Sequence, residues 1–217
     1  MARTCARFDR RETLGIAAGL LVLAALADPT SAPASSPRAE QVVRDLAEEI
    51  WTTLQTNGVD ESGRVDHLME LLEARADIGL ISRLALGRHW NRLPEAQQQD
   101  YEQLFRDVVI RSLARRLNSY AEGAKGPLEE RFQILGSAPA GRHDTLVRSK
   151  VLPNNGQPLA LDWRLRAGDF GPVIIDLVIE GASLLVSQRS EFAAVIERRD
   201  LDGLLAELRA RADSARS

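Results

Sequence analysis

The sequence predicts an α+β domain, and three observations carry that reading. Helical periodicity fills the first half of the folded region, strict strand alternation fills most of the second, and helix returns at the end. The alternation is clearest from Leu159, where Leu159, Leu161, Trp163 and Leu165 share one face and Ala160, Asp162, Arg164 and Arg166 the other. After a Gly168-Asp169-Phe170-Gly171-Pro172 turn, Val173, Ile175, Leu177 and Ile179 continue one face. Asp176 and Glu180 lie opposite, beside Ile174 and Val178. A side-chain period of two with one apolar face is the pattern of antiparallel strands. Beyond Glu180-Gly181 the period becomes helical through Ala182, Leu185, Phe192 and Ile196.

The first residues stand apart from the fold. Arg3, Arg7, Arg10 and Arg11 precede an apolar run from Leu14 to Ala27, and Ala25-Leu26-Ala27 is a small-x-small cleavage site. Residues 1–27 therefore read as a cleavable export signal, since the run is shorter than the roughly 20 residues that span a bilayer. Asp9-Arg10-Arg11-Glu12-Thr13-Leu14 resembles a twin-arginine signal without the usual aromatic residue after the pair, which leaves an ordinary Sec signal open. Cys5 is the only cysteine and lies in this leader, so the exported chain is expected to have no disulfide, thiolate metal site or thiol nucleophile. Four of the 28 basic and two of the 31 acidic residues leave with the leader, giving the remainder a net charge of −5. That balance offers no basis for nucleic-acid binding. Residues 28–37, rich in Pro, Ser and Ala, read as a flexible spacer before a single domain over 38–212.

Each element of that domain has its own signal. A first helix is expected over Arg38–Thr56, with Val43, Ala47, Ile50 and Leu54 on one stripe and Asn57-Gly58 as its stop. Val65, Leu68, Leu72 and Ala76 mark a second helix. Asp77 caps a third through Ile78, Ile81 and Leu84 to Gly87. Pro94 opens a long helix over Glu95–Tyr120, striped by Tyr101, Leu104, Phe105, Val108 and Leu113. Gly123 to Pro127 ends it. Strands follow at Arg131–Leu135, Thr145–Leu152, Leu159–Arg166 and Val173–Glu180, with Asn154-Asn155-Gly156 as the hairpin turn of the middle pair. Two helices, Leu184–Arg198 and Leu201–Ala212, close the chain.

Catalytic chemistry is hard to find. His67, His89 and His143 fall on three different elements, none with a second ligand at metal-binding spacing, so no metal site is expected. No Gly-x-Ser-x-Gly, phosphate-cradling loop or dinucleotide fingerprint occurs, and Gly168-Asp169-Phe170-Gly171 reads as a turn. Asp162 and Asp176 fall on successive strands, and if these are neighbours a buried carboxylate pair there is able to perform acid–base work. Beside Arg164 and Arg166 they read more simply as cross-strand ion pairs on a solvated face. Trp163 among leucines is ordinary core in most proteins. Yet two strand faces and two helical stripes all need apolar partners here, which makes a cavity between sheet and helices plausible.

The residues resemble a known family. Asp77-Ile78-x-x-Ile81, Leu86-Gly87-Arg88-x-Trp90, Gln97-Gln98 and Tyr101-x-x-Leu104-Phe105-Arg106 are similar to the N-terminal signature of the MlaC family. Asp162-Trp163, Asp176, Glu180-Gly181-x-Ser183-Leu184, Gln188-Arg189-x-Glu191-Phe192 and Asp202-Gly203-Leu204-Leu205 resemble its C-terminal signature, in order and with similar spacing. His89 departs from the aromatic residue that members often place before the tryptophan.

The resemblance implies a curved antiparallel sheet of nuclear-transport-factor-like character, packed with helices around a hydrophobic pocket. It implies a soluble periplasmic carrier, not an enzyme, that shuttles phospholipid between membranes and so maintains outer-membrane lipid asymmetry. The implied partners are phospholipid, an inner-membrane ABC transporter with an MCE-domain ring, and an outer-membrane lipoprotein–porin complex. The carrier is expected to be a monomer with no cofactor beyond its lipid cargo. The pocket is expected to be lined from the sheet by Val147, Val151, Leu161, Trp163, Leu165, Val173, Ile175 and Leu177, and from the helices by Leu104, Phe105, Val108 and Leu184. Alternation supports the sheet set only as one face per strand, not as lipid wall rather than core. Two other readings remain open: an enzyme on a similar cone-shaped fold using Asp162 or Asp176 as base, and a lipid-free periplasmic adaptor.

Overall fold

Five antiparallel strands form a meander in the order β1-β2-β3-β4-β5: Phe132–Pro139, Asp144–Val151, Leu159–Gly168, Gly171–Ile179 and Ala182–Ser183. The structure, a computed structural model, describes residues 35–120, 123–152 and 156–216. The expected leader, Cys5, the spacer through Ala34 and the Asn154-Asn155 pair of the hairpin turn lie outside the described residues. What is described falls within the compact unit Pro33–Ser217.

The helices start where their capping chemistry places them. Helix α1 (Pro37–Gln55) has Pro37 at its first position, and the Ser36 hydroxyl accepts from the Ala39 N–H. The Ser36 N–H donates to the Ser137 hydroxyl, which donates on to the Glu40 carboxylate, tying this helix start to β1. Asp60 caps α2 (Glu61–Arg75) and Asp77 caps α3 (Ile78–Leu86), each carboxylate accepting an N–H three residues on at 2.8 Å. A 3₁₀ turn over Gly87–Arg92 leads to α4 (Glu95–Phe105), a π-helical turn (Arg106–Ile110) and α5 (Arg111–Asn118). The long helix expected from Glu95 is therefore one rod with a π turn inside it. Such turns recur at functional sites. Helix α6 (Leu184–Arg216) breaks at Asp200, whose φ of 60° interrupts the helix between the two segments expected there. Its carboxylate accepts the Gly203 N–H at 3.0 Å and restarts the helix as a cap.

The sheet curves because two bulges interrupt its register, one between Ile134 and Gly136 and one opposite the Arg164–Leu165 step. The second corrects the expected strand faces. Trp163 pairs with Leu177, but Leu165 pairs with Ile174 and Arg166 with Val173. Ile175 is the extra residue, so Val173 leaves the Trp163 side and Ile174 joins it. A period-two reading carried across a bulge reverses every side chain beyond it.

The charged face also differs from expectation. Arg164 and Arg166 both grip Asp144, at 2.7 Å each, and neither forms an ion pair with Asp162 or Asp176, although Arg164 lies opposite Asp176 in the strand register. Asp144 is almost wholly enclosed, its side chain 4% exposed, whereas the two arginines reach solvent. The Arg166 hydrogen bond, helped by the charges of both arginines, holds the Asp144 carboxyl below the usual carboxylate range despite burial. Asp144→Asn is expected to destabilise the fold by about 1–3 kcal/mol, because one buried charge-assisted contact is lost while the arginines remain hydrated. A depressed folded value means the contribution is fully present above the unfolded carboxyl's pKa. It is lost as pH falls through the lower folded value. Urea midpoints should therefore differ most near neutrality and converge in acid; equal midpoints at pH 7 would refute this.

Candidate functional site

A cavity of about 490 Å³ lies between the sheet and the helices. Trp163, Ile174, Ile175 and Leu177 line it from β3 and β4. Opposite stand Leu72, Ala76, Ile78 and Ile81, from the end of α2 into α3, and Phe105, Val108, Val109, Ile110 and Leu113 from the rod containing the π turn. Leu184, Leu185, Phe192 and Leu208 close it from α6, and Leu46 reaches it from α1. The volume falls within the ~300–1,000 Å³ typical of small-molecule pockets. Tyr101, behind the wall, packs ring against ring with Phe105 and Phe192 of the lining, all three contacts at 6.1–6.3 Å. The Tyr101 hydroxyl donates to the Ser82 carbonyl at 2.9 Å, and burial pushes its pKa well above the usual phenol value.

The sheet and α6 are joined at the cavity by Asp176. Its carboxylate accepts from the Ser183 hydroxyl and from the Leu185 N–H at 2.9 Å, capping the first turn of α6. The expected solvated ion pair is thus replaced by a buried cap, because β5 and the helix start fold over this side of β4. Asp162 is half-buried opposite Arg148 and Val178 and has no ion-pair partner among the described residues. The two carboxylates do not form a catalytic pair. Ser112, Arg116, Ser187, Gln188, Glu191 and Arg211 supply the polar part of the lining. The Glu191 and Glu207 carboxylates bind Arg211 and raise its pKa further, fixing its charge.

The histidines stay apart from the cavity. His67 is exposed beside Glu70, and His143 is exposed at the β1–β2 turn. His89 is buried between Arg88 and Arg92, where burial, and then their charges, lower its pKa. Among the described residues, no group of three or more His, Cys, Asp or Glu side chains is placed to hold a metal ion.

A family model described as MlaC protein matches residues 40–210. The chain belongs to the MlaC family. Its structure is similar to that of the phospholipid-binding protein from Ralstonia solanacearum, solved in complex with a phospholipid, at a TM-score of 0.66 and 26% sequence identity. The match covers 82% of this chain and 99% of that one. The curved antiparallel sheet packed with helices, expected from the MlaC resemblance, is the fold found.

In this MlaC-family chain the cavity divides the twelve expected lining residues. Phe105, Val108, Trp163, Ile175, Leu177 and Leu184 line it. The remaining six lie outside its wall. Leu104, Val147 and Leu165 are buried in the surrounding core, and Leu161 packs against that core from β3. Val151 is half-buried near the end of β2, paired with Phe132 and Leu159. Val173 lies opposite Arg166, displaced by the bulge. The residues missed fall into two kinds. Ile174 was hidden by that bulge. Ile78, Ile81 and Leu113 belong to helical stripes already visible, and their periodicity could have nominated them.

Proposed function

We propose that the protein is a periplasmic phospholipid carrier, holding acyl chains in the cavity between sheet and helices. The observation that carries this reading is the cavity, walled largely by Ile, Leu, Val, Phe and Trp from both layers. Membership of the MlaC family and the phospholipid bound to the Ralstonia relative support the choice of ligand. No helix among the described residues is long and apolar enough to cross a membrane.

The physics of transfer fits this cavity. Two acyl chains present roughly 30 methylenes, and exposing each to water costs about 0.8 kcal/mol, so unassisted transit is prohibitive. An apolar interior removes that barrier without any bond being made or broken. Asp176, a buried carboxylate of the wall, is already occupied as a helix cap, and Glu191 is bound to Arg211, which favours binding over catalysis. In this proposal the carrier is exported, loads and unloads as a monomer, and exchanges lipid with an ABC transporter bearing an MCE-domain ring and with an outer-membrane lipoprotein–porin complex.

Native mass spectrometry of protein purified without detergent tests the reading. It should show one glycerophospholipid mass per chain, removed by organic extraction and regained from phosphatidylglycerol vesicles. Protein that neither carries nor takes up lipid would leave the adaptor reading in its place, and lipid turnover would leave the enzyme.

A further inference from the structure

The cavity wall changes chemistry along one helical rod. Phe105, Val108 and Val109 are followed by Ser112 and then Arg116, all of them lining the cavity. Ser112 and Arg116 are four residues apart, so they share a helix face about 6 Å apart along the axis. Helical side chains lean toward the N-terminus, which brings the Arg116 guanidinium back over the turn carrying Ser112.

Both residues are exposed, and neither side chain has a hydrogen-bond or ion-pair partner among the described residues. Other polar groups of the lining are engaged. Arg211 is bound by Glu191 and Glu207, the Gln188 amide donates to Glu191, and the Ser187 hydroxyl donates to the Ser183 carbonyl. What remains open is one hydroxyl and one guanidinium with no acid between them. That set suits an anion with several acceptor oxygens, since guanidinium binds phosphate through paired N–H donors.

We propose that Ser112 and Arg116 hold the phosphate of the lipid headgroup where the acyl chains enter the cavity. The assignment rests on the carrier reading and adds a selectivity to it: lipids with a phosphodiester bind better than lipids with the same chains and no phosphate. Arg116 supplies the charge and Ser112 a directional donor. Because the site is open to solvent, screening keeps the preference modest, about three- to tenfold.

Protein stripped of lipid and titrated with dioleoyl-phosphatidylglycerol or with dioleoylglycerol provides the test. Wild type should prefer the phosphatidylglycerol. Arg116→Gln should lose most of that preference, and the Ser112→Ala/Arg116→Gln double variant the rest, with dioleoylglycerol affinity and circular dichroism unchanged. Equal affinities in wild type, or an equal loss for both lipids in Arg116→Gln, would overturn the headgroup assignment and leave the cavity intact as a lipid site. A wild type that takes up neither lipid would overturn both. Millimolar inorganic phosphate should not displace phosphatidylglycerol; displacement that Arg116→Gln abolishes would make this a free-phosphate site and reject the assignment.

Discussion

Phe192→Ala is expected to lower the unfolding free energy by about 3–5 kcal/mol, the range for truncating a well-packed aromatic side chain. Phe192 is 1% exposed, and its ring meets Tyr101 and Phe105 edge-on at 6.1 and 6.3 Å. The hole it leaves cannot collapse freely, since Tyr101 is anchored through its hydroxyl to the Ser82 carbonyl. In a chain of this size each kcal/mol moves Tm by about 2–4 °C, so a fall of roughly 10 °C is expected in thermal unfolding. A loss below about 1 kcal/mol would mean that the ring cluster does not hold α6 against α4. Phe192 also lines the cavity, so its removal joins the new hole to that space. Excess lipid should then return part of the lost Tm, because a ligand that binds only the folded state stabilises it.

The elements themselves were largely legible in the sequence, and for local reasons. Asp77, Pro94 and the apolar stripes announce where helices begin and which side they bury, and the hydrogen bonds at Asp77 bear that out. Strand alternation put Leu161, Trp163 and Leu165 on one face of β3 correctly, and on β4 it failed at one residue. Ile175 adds a bulge that no periodicity reveals, and from there the inward positions shift from Val173 to Ile174. Asp176 failed for a related reason. Its position in the alternation suggested solvent, but Ser183 and Leu185 cover it when β5 and α6 close over β4. The division between cavity and core was not legible at all. Leu104 and Phe105 are neighbours on one helix, yet only Phe105 lines the cavity. Both satisfy the same hydrophobic pattern, and only the three-dimensional gap between the layers separates them.

That division supplies the sharpest test of where the acyl chains sit. Leu177→Arg should weaken phospholipid binding about a hundredfold. Leu177 lines the cavity in register with Trp163, towards the C-terminal end of β4. An arginine there fills space that acyl methylenes would occupy. Displacing about four of them at about 0.8 kcal/mol each removes roughly 3 kcal/mol of binding, two decades of affinity. Leu135→Arg is the control, adding the same charge at an exposed bulge on β1 outside the cavity wall, and it should keep its lipid. Circular dichroism must show both variants folded, and native mass spectrometry then reads occupancy. A folded Leu177→Arg protein with wild-type occupancy would place the acyl chains somewhere other than this cavity. Loss in both variants would implicate added charge rather than position. Loss in Leu177→Arg alone fits only a ligand that lies along the β3–β4 face, where Trp163 and Leu177 meet the helices.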